Sequence, residues 1–75
     1  MEKKEFEKLL KEAESGNAHA MYLVGIEYEL GQVVEQNMQE ALAWMTEAAD
    51  LGDKDAKAWI EDYYFDDDAN VQAHS

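Results

Sequence analysis

The two histidines, His19 and His74, are the imidazoles that this chain offers for acid–base or nucleophilic chemistry. Catalysis would need a nucleophile beside a base, paired carboxylates in a cleft, or a metal cluster. The sequence shows no such arrangement around His19, and His74 falls in the predicted C-terminal tail. It also lacks a glycine-rich loop that could cradle a phosphate. We therefore predict no enzyme, no catalytic residue and no cofactor, and we interpret His19 as a partly exposed surface histidine, with an interface role as the alternative.

Three consecutive aspartates, Asp66, Asp67 and Asp68, could attract a divalent cation weakly. A calcium loop, however, spaces its Asp and Asn ligands around a central glycine and ends in a distal glutamate, and this pattern is missing. The chain contains no cysteine, which excludes disulfides and thiolate metal sites. We predict no metal site, and the lack of cysteine favours a cytoplasmic location.

Charge restricts the class of partner. Eighteen acidic residues face six lysines and no arginine, for a formal net charge of −12. Such a field repels phosphate backbones and anionic lipid, so neither nucleic acid nor a membrane is expected to bind directly. No apolar run approaches the ~20 residues that a membrane span needs. A basic protein surface would be attracted. The alternative interpretation is that acidity only keeps a small protein soluble.

Apolar spacing predicts an all-α chain of about four helices. Residues 2–15 carry apolar side chains at i, i+3, i+4 and i+7, the pattern of an amphipathic helix. A second helix is predicted from about Ala18 to Leu30 and a fourth from about Lys54 to Tyr64 or Phe65. Between them, a third should begin at Asn37, because Asn37 followed by Glu40 forms a capping-box pattern.

The segment after the first predicted helix returns in altered form 36 positions later. Gly16, Ala20 and Tyr28 recur as Gly52, Ala56 and Tyr64. Small and aromatic residues that repeat at the length of one helix pair indicate stacked helical units, each too small to bury its apolar face alone. A binding surface is therefore expected, rather than an enzyme active site.

The same residues resemble a Sel1-like repeat, a relative of the tetratricopeptide repeat, over about residues 16–52. The match lies in the glycine, alanine and aromatic positions of both helices. The matching and recurring positions are Gly16, Ala18, Ala20, Val24, Gly25, Tyr28, Gly31, Ala41, Trp44, Ala48, Ala49, Gly52 and Ala56. The resemblance implies a right-handed α-solenoid of antiparallel helix-turn-helix units, and it implies an adaptor that assembles protein complexes.

The flanks depart from the family pattern in a way that predicts the domain organisation. Charged Glu5, Lys8 and Glu12 stand where the complete unit has Ala41, Trp44 and Ala48, and Glu61 replaces Gly25 in the last half-unit. We therefore expect one domain over residues 1–65, made of a capping helix at 2–15, a full repeat at 16–52 and a half-repeat at 53–65. An acidic, disordered tail is expected at 66–75. On this layout the chain is a complete miniature.

A partner-binding surface follows from the resemblance, because first helices of such units line the concave side. Leu23 and its repeat-mate Trp59 are apolar where the family frequently has a polar residue. Aromatic anchors ringed by charge are a common interface arrangement. The predicted binding residues are Leu23, Glu27, Trp59, Asp62, Tyr63 and Asp66. For Trp59 and Leu23 the alternative is a place in the core.

Three functions therefore stand as hypotheses. The leading one is a module that binds a basic protein, steered by charge and anchored by apolar side chains. The first alternative is a small acidic inhibitor or immunity protein that blocks a toxin or nuclease. The second is a small enzyme or metal protein that uses His19 and carboxylates. Because a core this small commonly supplies no more than ~3–5 kcal/mol, a homodimer is also possible.

Overall fold

The computed structural model describes the backbone of residues 1–74 and the side chains of residues 1–64. Four helices and no strand occur in this part of the chain: α1 (Lys3–Glu14), α2 (Ala18–Leu30), α3 (Met38–Asp50) and α4 (Lys54–His74). The predicted all-α fold is therefore confirmed. Short turns join successive helices, so that each packs against the one before it, and α2 and α4 also share a smaller contact.

Helix starts are set by side chains that cap free backbone N–H groups. The side chain of Asn17 accepts a hydrogen bond from the N–H of Ala20 at 3.0 Å, and the side chain of Asn37 accepts one from Glu40 at 3.1 Å. Before α4, Oδ2 of Asp53 accepts the N–H of Ala56 at 2.9 Å. Each cap satisfies one of the donors that a helix N-terminus leaves unpaired. Local sequence alone therefore fixes where α2, α3 and α4 begin.

The core consists mostly of small side chains and methionine. Its buried members come from all four helices: Phe6, Ala13, Ala20, Met21, Val24, Ala41, Met45, Ala48 and Ala56. Trp44 is half-buried and packs against this cluster. At Gly25, an added Cβ would lie 3.1 Å from Cγ and Cε of Met45 and 3.2 Å from the carbonyl oxygen of Ala41. Glycine thus lets the backbones of α2 and α3 approach closely.

The loop after α2 folds back on the helix that it leaves. Val33 and Val34 pack against the core, the N–H of Asn37 donates to the carbonyl of Tyr28 at 3.0 Å, and the Gln36 amide donates to the carbonyl of Glu29 at 2.8 Å. These contacts close the loop with valine and glutamate at positions 33 and 35, where the Sel1-like pattern often has glycine and proline. The loop therefore places the start of α3 beside the last turns of α2.

Gly31 makes this loop possible, and its replacement by alanine is expected to lower the free energy of unfolding by about 1–2 kcal/mol. Its φ of +70° is left-handed, and an added Cβ would lie 2.8 Å from Cβ of Gln36. Urea unfolding followed by circular dichroism measures the change. Gln32→Ala, at an exposed neighbouring position, is the control and should have little effect. Equal stability of Gly31→Ala and wild type would contradict this account.

The C-terminal helix extends further than the apolar pattern predicts. The expected end was Tyr64 or Phe65, whereas α4 runs to His74. The physical reason is that no proline or glycine follows Gly52, so nothing in the sequence forces the helix to stop. The side chains after Tyr64, including Asp66, lie outside the described residues. The division into a domain at 1–65 and a disordered tail at 66–75 therefore stays a prediction.

Candidate partner-binding groove

A hydrogen bond joins α2 and α4, the two helices that are predicted to line the partner-binding surface. The indole Nε1 of Trp59 donates to Oε1 of Glu29 at 3.0 Å. Trp59 is half-buried, and part of its ring packs against the core. Its polar edge therefore reaches the surface beside a carboxylate, while its apolar body supports the fold. This combination is typical of tryptophan at interfaces.

One turn further along α4, Tyr63 stacks on Trp59. The ring centroids are 5.5 Å apart and the planes differ by 6°, as expected for an i, i+4 pair on one helix face. Tyr64 meets Tyr63 edge-on, with centroids 5.2 Å apart. Tyr63 is 39% exposed. Trp59 and Tyr63 thus form a continuous aromatic surface that is partly open to solvent.

The rings of Trp59 and Tyr63 line a shallow pocket of about 260 Å³ together with two carboxylate side chains. Its lining residues are Glu29, Trp59, Asp62 and Tyr63, and we call this surface the α2–α4 groove. No basic side chain lines it among the described residues. The groove is smaller than most drug-sized pockets.

The structure brings together three of the six predicted binding residues: Trp59, Asp62 and Tyr63. Leu23 is half-buried and does not line the α2–α4 groove. The side chain of Asp66 lies outside the described residues. These assignments to a partner remain predictions. In the structure, the aromatic pair and Asp62 on α4 lie next to Glu29 on α2.

Glu27 is one of the predicted binding residues, but its side chain is buried. The residue is only 8% exposed, and its Oε1 is buried and accepts no hydrogen bond from a described residue. Little of this carboxylate is available to a partner. In the fold it is a buried polar group, which costs stability when it is left unpaired.

Glu29 is the groove residue that sequence reasoning missed. It follows Tyr22 and Ile26 at i, i+4 and i+7, and all three are half-buried. This second stripe on α2 faces away from the alanine and valine positions on which the repeat pattern depends. Attention to the i, i+4, i+7 spacing would have placed Glu29 beside a neighbouring helix.

A second polar cluster joins the first turns of α2 and α4. Nδ1 of His19 lies 3.1 Å from Oδ1 of Asp53 and 3.9 Å from Oδ2 of Asp55, and the His19 side chain is 55% exposed. The imidazole also stacks on Tyr22 with centroids 5.5 Å apart. Burial, and then the charges of nearby carboxylates led by Asp55, raise the pKa of the Tyr22 phenol above its usual value.

The donor atoms of His19, Asp53 and Asp55 all lie within 4.8 Å of one another. One imidazole nitrogen and two carboxylate oxygens are donors that divalent transition metals accept. However, the Asp53 carboxylate already caps α4, and a helix N-terminus carries partial positive charge that disfavours a cation. We assign this cluster to holding the starts of α2 and α4 together.

Within the described residues, no helix combines the length and the apolar character that crossing a membrane requires. In a comparison with known protein families, residues 18–53 fit the family model of the Sel1 repeat. The matched segment contains α2, the loop and α3, and it ends at the residue that caps α4. It confirms the resemblance read from residues 16–52. No curated protein and no solved structure matches the chain.

Proposed function

Because residues 18–53 of the chain match the Sel1 repeat, we propose that the chain is a protein-interaction module whose α2–α4 groove binds a partner with a basic surface. The repeat supports protein binding in general terms. The observation that carries the specific proposal is the Trp59–Tyr63 stack, whose Tyr63 ring is exposed, beside the carboxylates of Glu29 and Asp62. The fold needs Trp59 for packing, but it does not need an exposed second ring and a second acid.

The distribution of charge supports a basic partner. The net charge is −12, and no basic residue stands between Lys11 and Lys54. This interval contains α2 and α3, so neither of these helices carries a lysine or an arginine beside its carboxylates. Long-range attraction of this kind raises association rates and suppresses acidic competitors more than it raises affinity.

Affinity must then come from short-range contacts. Trp and Tyr are enriched among the few interface residues that contribute most of the binding free energy, and the contacts around them exclude water. In the α2–α4 groove, the indole of Trp59 is already oriented by Glu29 at 3.0 Å. Little side-chain entropy should therefore be lost when a partner docks.

We expect Trp59→Ala and Tyr63→Ala each to reduce partner binding by about tenfold or more. The measurement is quantitative capture from an extract of the source cells, with the captured proteins identified by mass spectrometry. Tyr64→Ala is the matched control, because Tyr64 is the adjacent ring on α4 but does not line the groove. Circular dichroism must show that the variants are folded.

Unchanged recovery by folded Trp59→Ala and Tyr63→Ala would refute the groove as the binding surface. The alternative function, an acidic inhibitor that blocks a toxin or nuclease, is a variant of the same proposal, and the two carboxylates in the groove favour it. It predicts inhibition of a captured nuclease or toxin by equimolar protein, whereas an adaptor binds without inhibiting. An activity assay on the captured partner separates the two.

A further inference from the structure

We propose that the α2–α4 groove is a seat for a single arginine side chain of the partner. The inference rests on the proposed function and names the group that is recognised. In this arrangement the guanidinium lies against the Trp59–Tyr63 rings and donates hydrogen bonds to the carboxylates of Glu29 and Asp62. Glu29 thereby becomes a binding residue as well as the partner of the indole.

The aromatic pair provides the stacking surface. Nearly parallel planes with centroids 5.5 Å apart describe an offset stack, in which each ring leaves part of its face uncovered. A planar cation gains from such a face both by dispersion and by attraction to the ring quadrupole. Tyr63 is 39% exposed, so part of the aromatic pair is accessible from solvent.

The carboxylates provide the acceptors. Oε1 of Glu29 accepts the indole N–H, but a carboxylate has about four lone-pair sites, so Glu29 retains capacity for further donors. Asp62 is exposed, and its carboxylate accepts no hydrogen bond from a described residue. The two acids lie on different helices and line one pocket. Donors that enter this pocket therefore meet acceptors from α2 and from α4.

These features favour arginine over lysine. Arginine presents five donors in a rigid planar fork and is weakly hydrated, so it can stack and pair with carboxylates at the same time. The lysine ammonium is compact and strongly hydrated, and it offers no planar surface. The protein itself contains no arginine. The volume of about 260 Å³ is on the scale of one long side chain.

The test uses two synthetic peptides that differ only in their cation, acetyl-Gly-Ser-Gly-Arg-Gly-Ser-Gly-amide and its lysine counterpart. Titration of ¹⁵N-labelled wild-type protein reports on the groove through the indole N–H resonance of Trp59, with Trp59→Phe used for assignment. We expect the arginine peptide to shift this resonance saturably and to bind at least fivefold more tightly than the lysine peptide. Glu29→Gln and Asp62→Asn should each weaken arginine binding about fivefold or more.

Glu61→Gln is the matched control, because it removes one charge from the neighbouring exposed residue of α4 without touching the groove lining. If Glu61→Gln weakens binding as much as Asp62→Asn, or if both peptides bind equally, the arginine seat is overturned. In that case Trp59→Ala and Tyr63→Ala can still abolish capture of the partner, and the proposed function stands without it. If the arginine peptide fails this test and folded Trp59→Ala and Tyr63→Ala also capture the partner normally, the groove is not a binding surface.

Discussion

Replacing Met45 by alanine is expected to lower the free energy of unfolding by about 2–5 kcal/mol. Met45 is fully buried and lies in the space that Gly25 leaves between α2 and α3. Truncation would remove its thioether from the close contact between α2 and α3 at Gly25. The surrounding alanines are too short to fill the cavity. A domain of this size commonly supplies only ~3–5 kcal/mol in total, so Met45→Ala should lose a large share of its stability.

Circular dichroism at 222 nm, with urea and thermal unfolding, measures this loss. Thr46→Ala is the matched control, because it changes the exposed neighbour of Met45 on the same helix and should alter stability by no more than about 0.5 kcal/mol. A Met45→Ala variant within 1 kcal/mol of wild type would show that the α2–α3 contact tolerates a cavity, and the close packing at Gly25 would then not be what stabilises the repeat.

The close helix packing is the part of the fold that sequence predicts best. Small residues occur where helices must approach, and Ala20, Ala41, Ala48 and Ala56 are all buried. Asn17, Asn37 and Asp53 cap the helices that follow them. Both signals are local, since a cap depends on three residues and a small residue simply lets a neighbour come near.

The candidate site was less predictable, because exposure depends on which helix lies opposite. Glu27 and Tyr63 are 36 positions apart, so they occupy equivalent positions in the repeat. In an unlimited array of repeats, the two side chains would have the same surroundings. Here Glu27 is 8% exposed and Tyr63 is 39% exposed, because α2 packs against α1 and α3 as well as α4. The repeat pattern carries no information about these end effects. For the same reason it could not show that Glu29 meets Trp59 across a sequence separation of 30 residues.

The second large expected effect is at Glu27, and it is a gain of stability, in contrast to the loss expected for Met45→Ala. Replacement by methionine is expected to raise the free energy of unfolding by about 1–3 kcal/mol. The buried Oε1 accepts no hydrogen bond from a described residue, so the native state bears a desolvation cost without a compensating bond. Methionine has a similar length and can fill the same space without a polar atom.

The sign of the change in Glu27→Met, measured by urea unfolding, tests whether this carboxylate is a cost or an unrecognised contact. Glu47→Met is the control, because Glu47 is exposed on α3 and its replacement should leave stability nearly unchanged. Lower stability of Glu27→Met would mean that Glu27 makes a bond that outweighs its burial. Partner capture by the same variant separates stability from binding. Since only 8% of Glu27 is exposed, we expect capture to be unchanged, and weaker capture by a more stable protein would return Glu27 to the binding surface on which sequence analysis placed it.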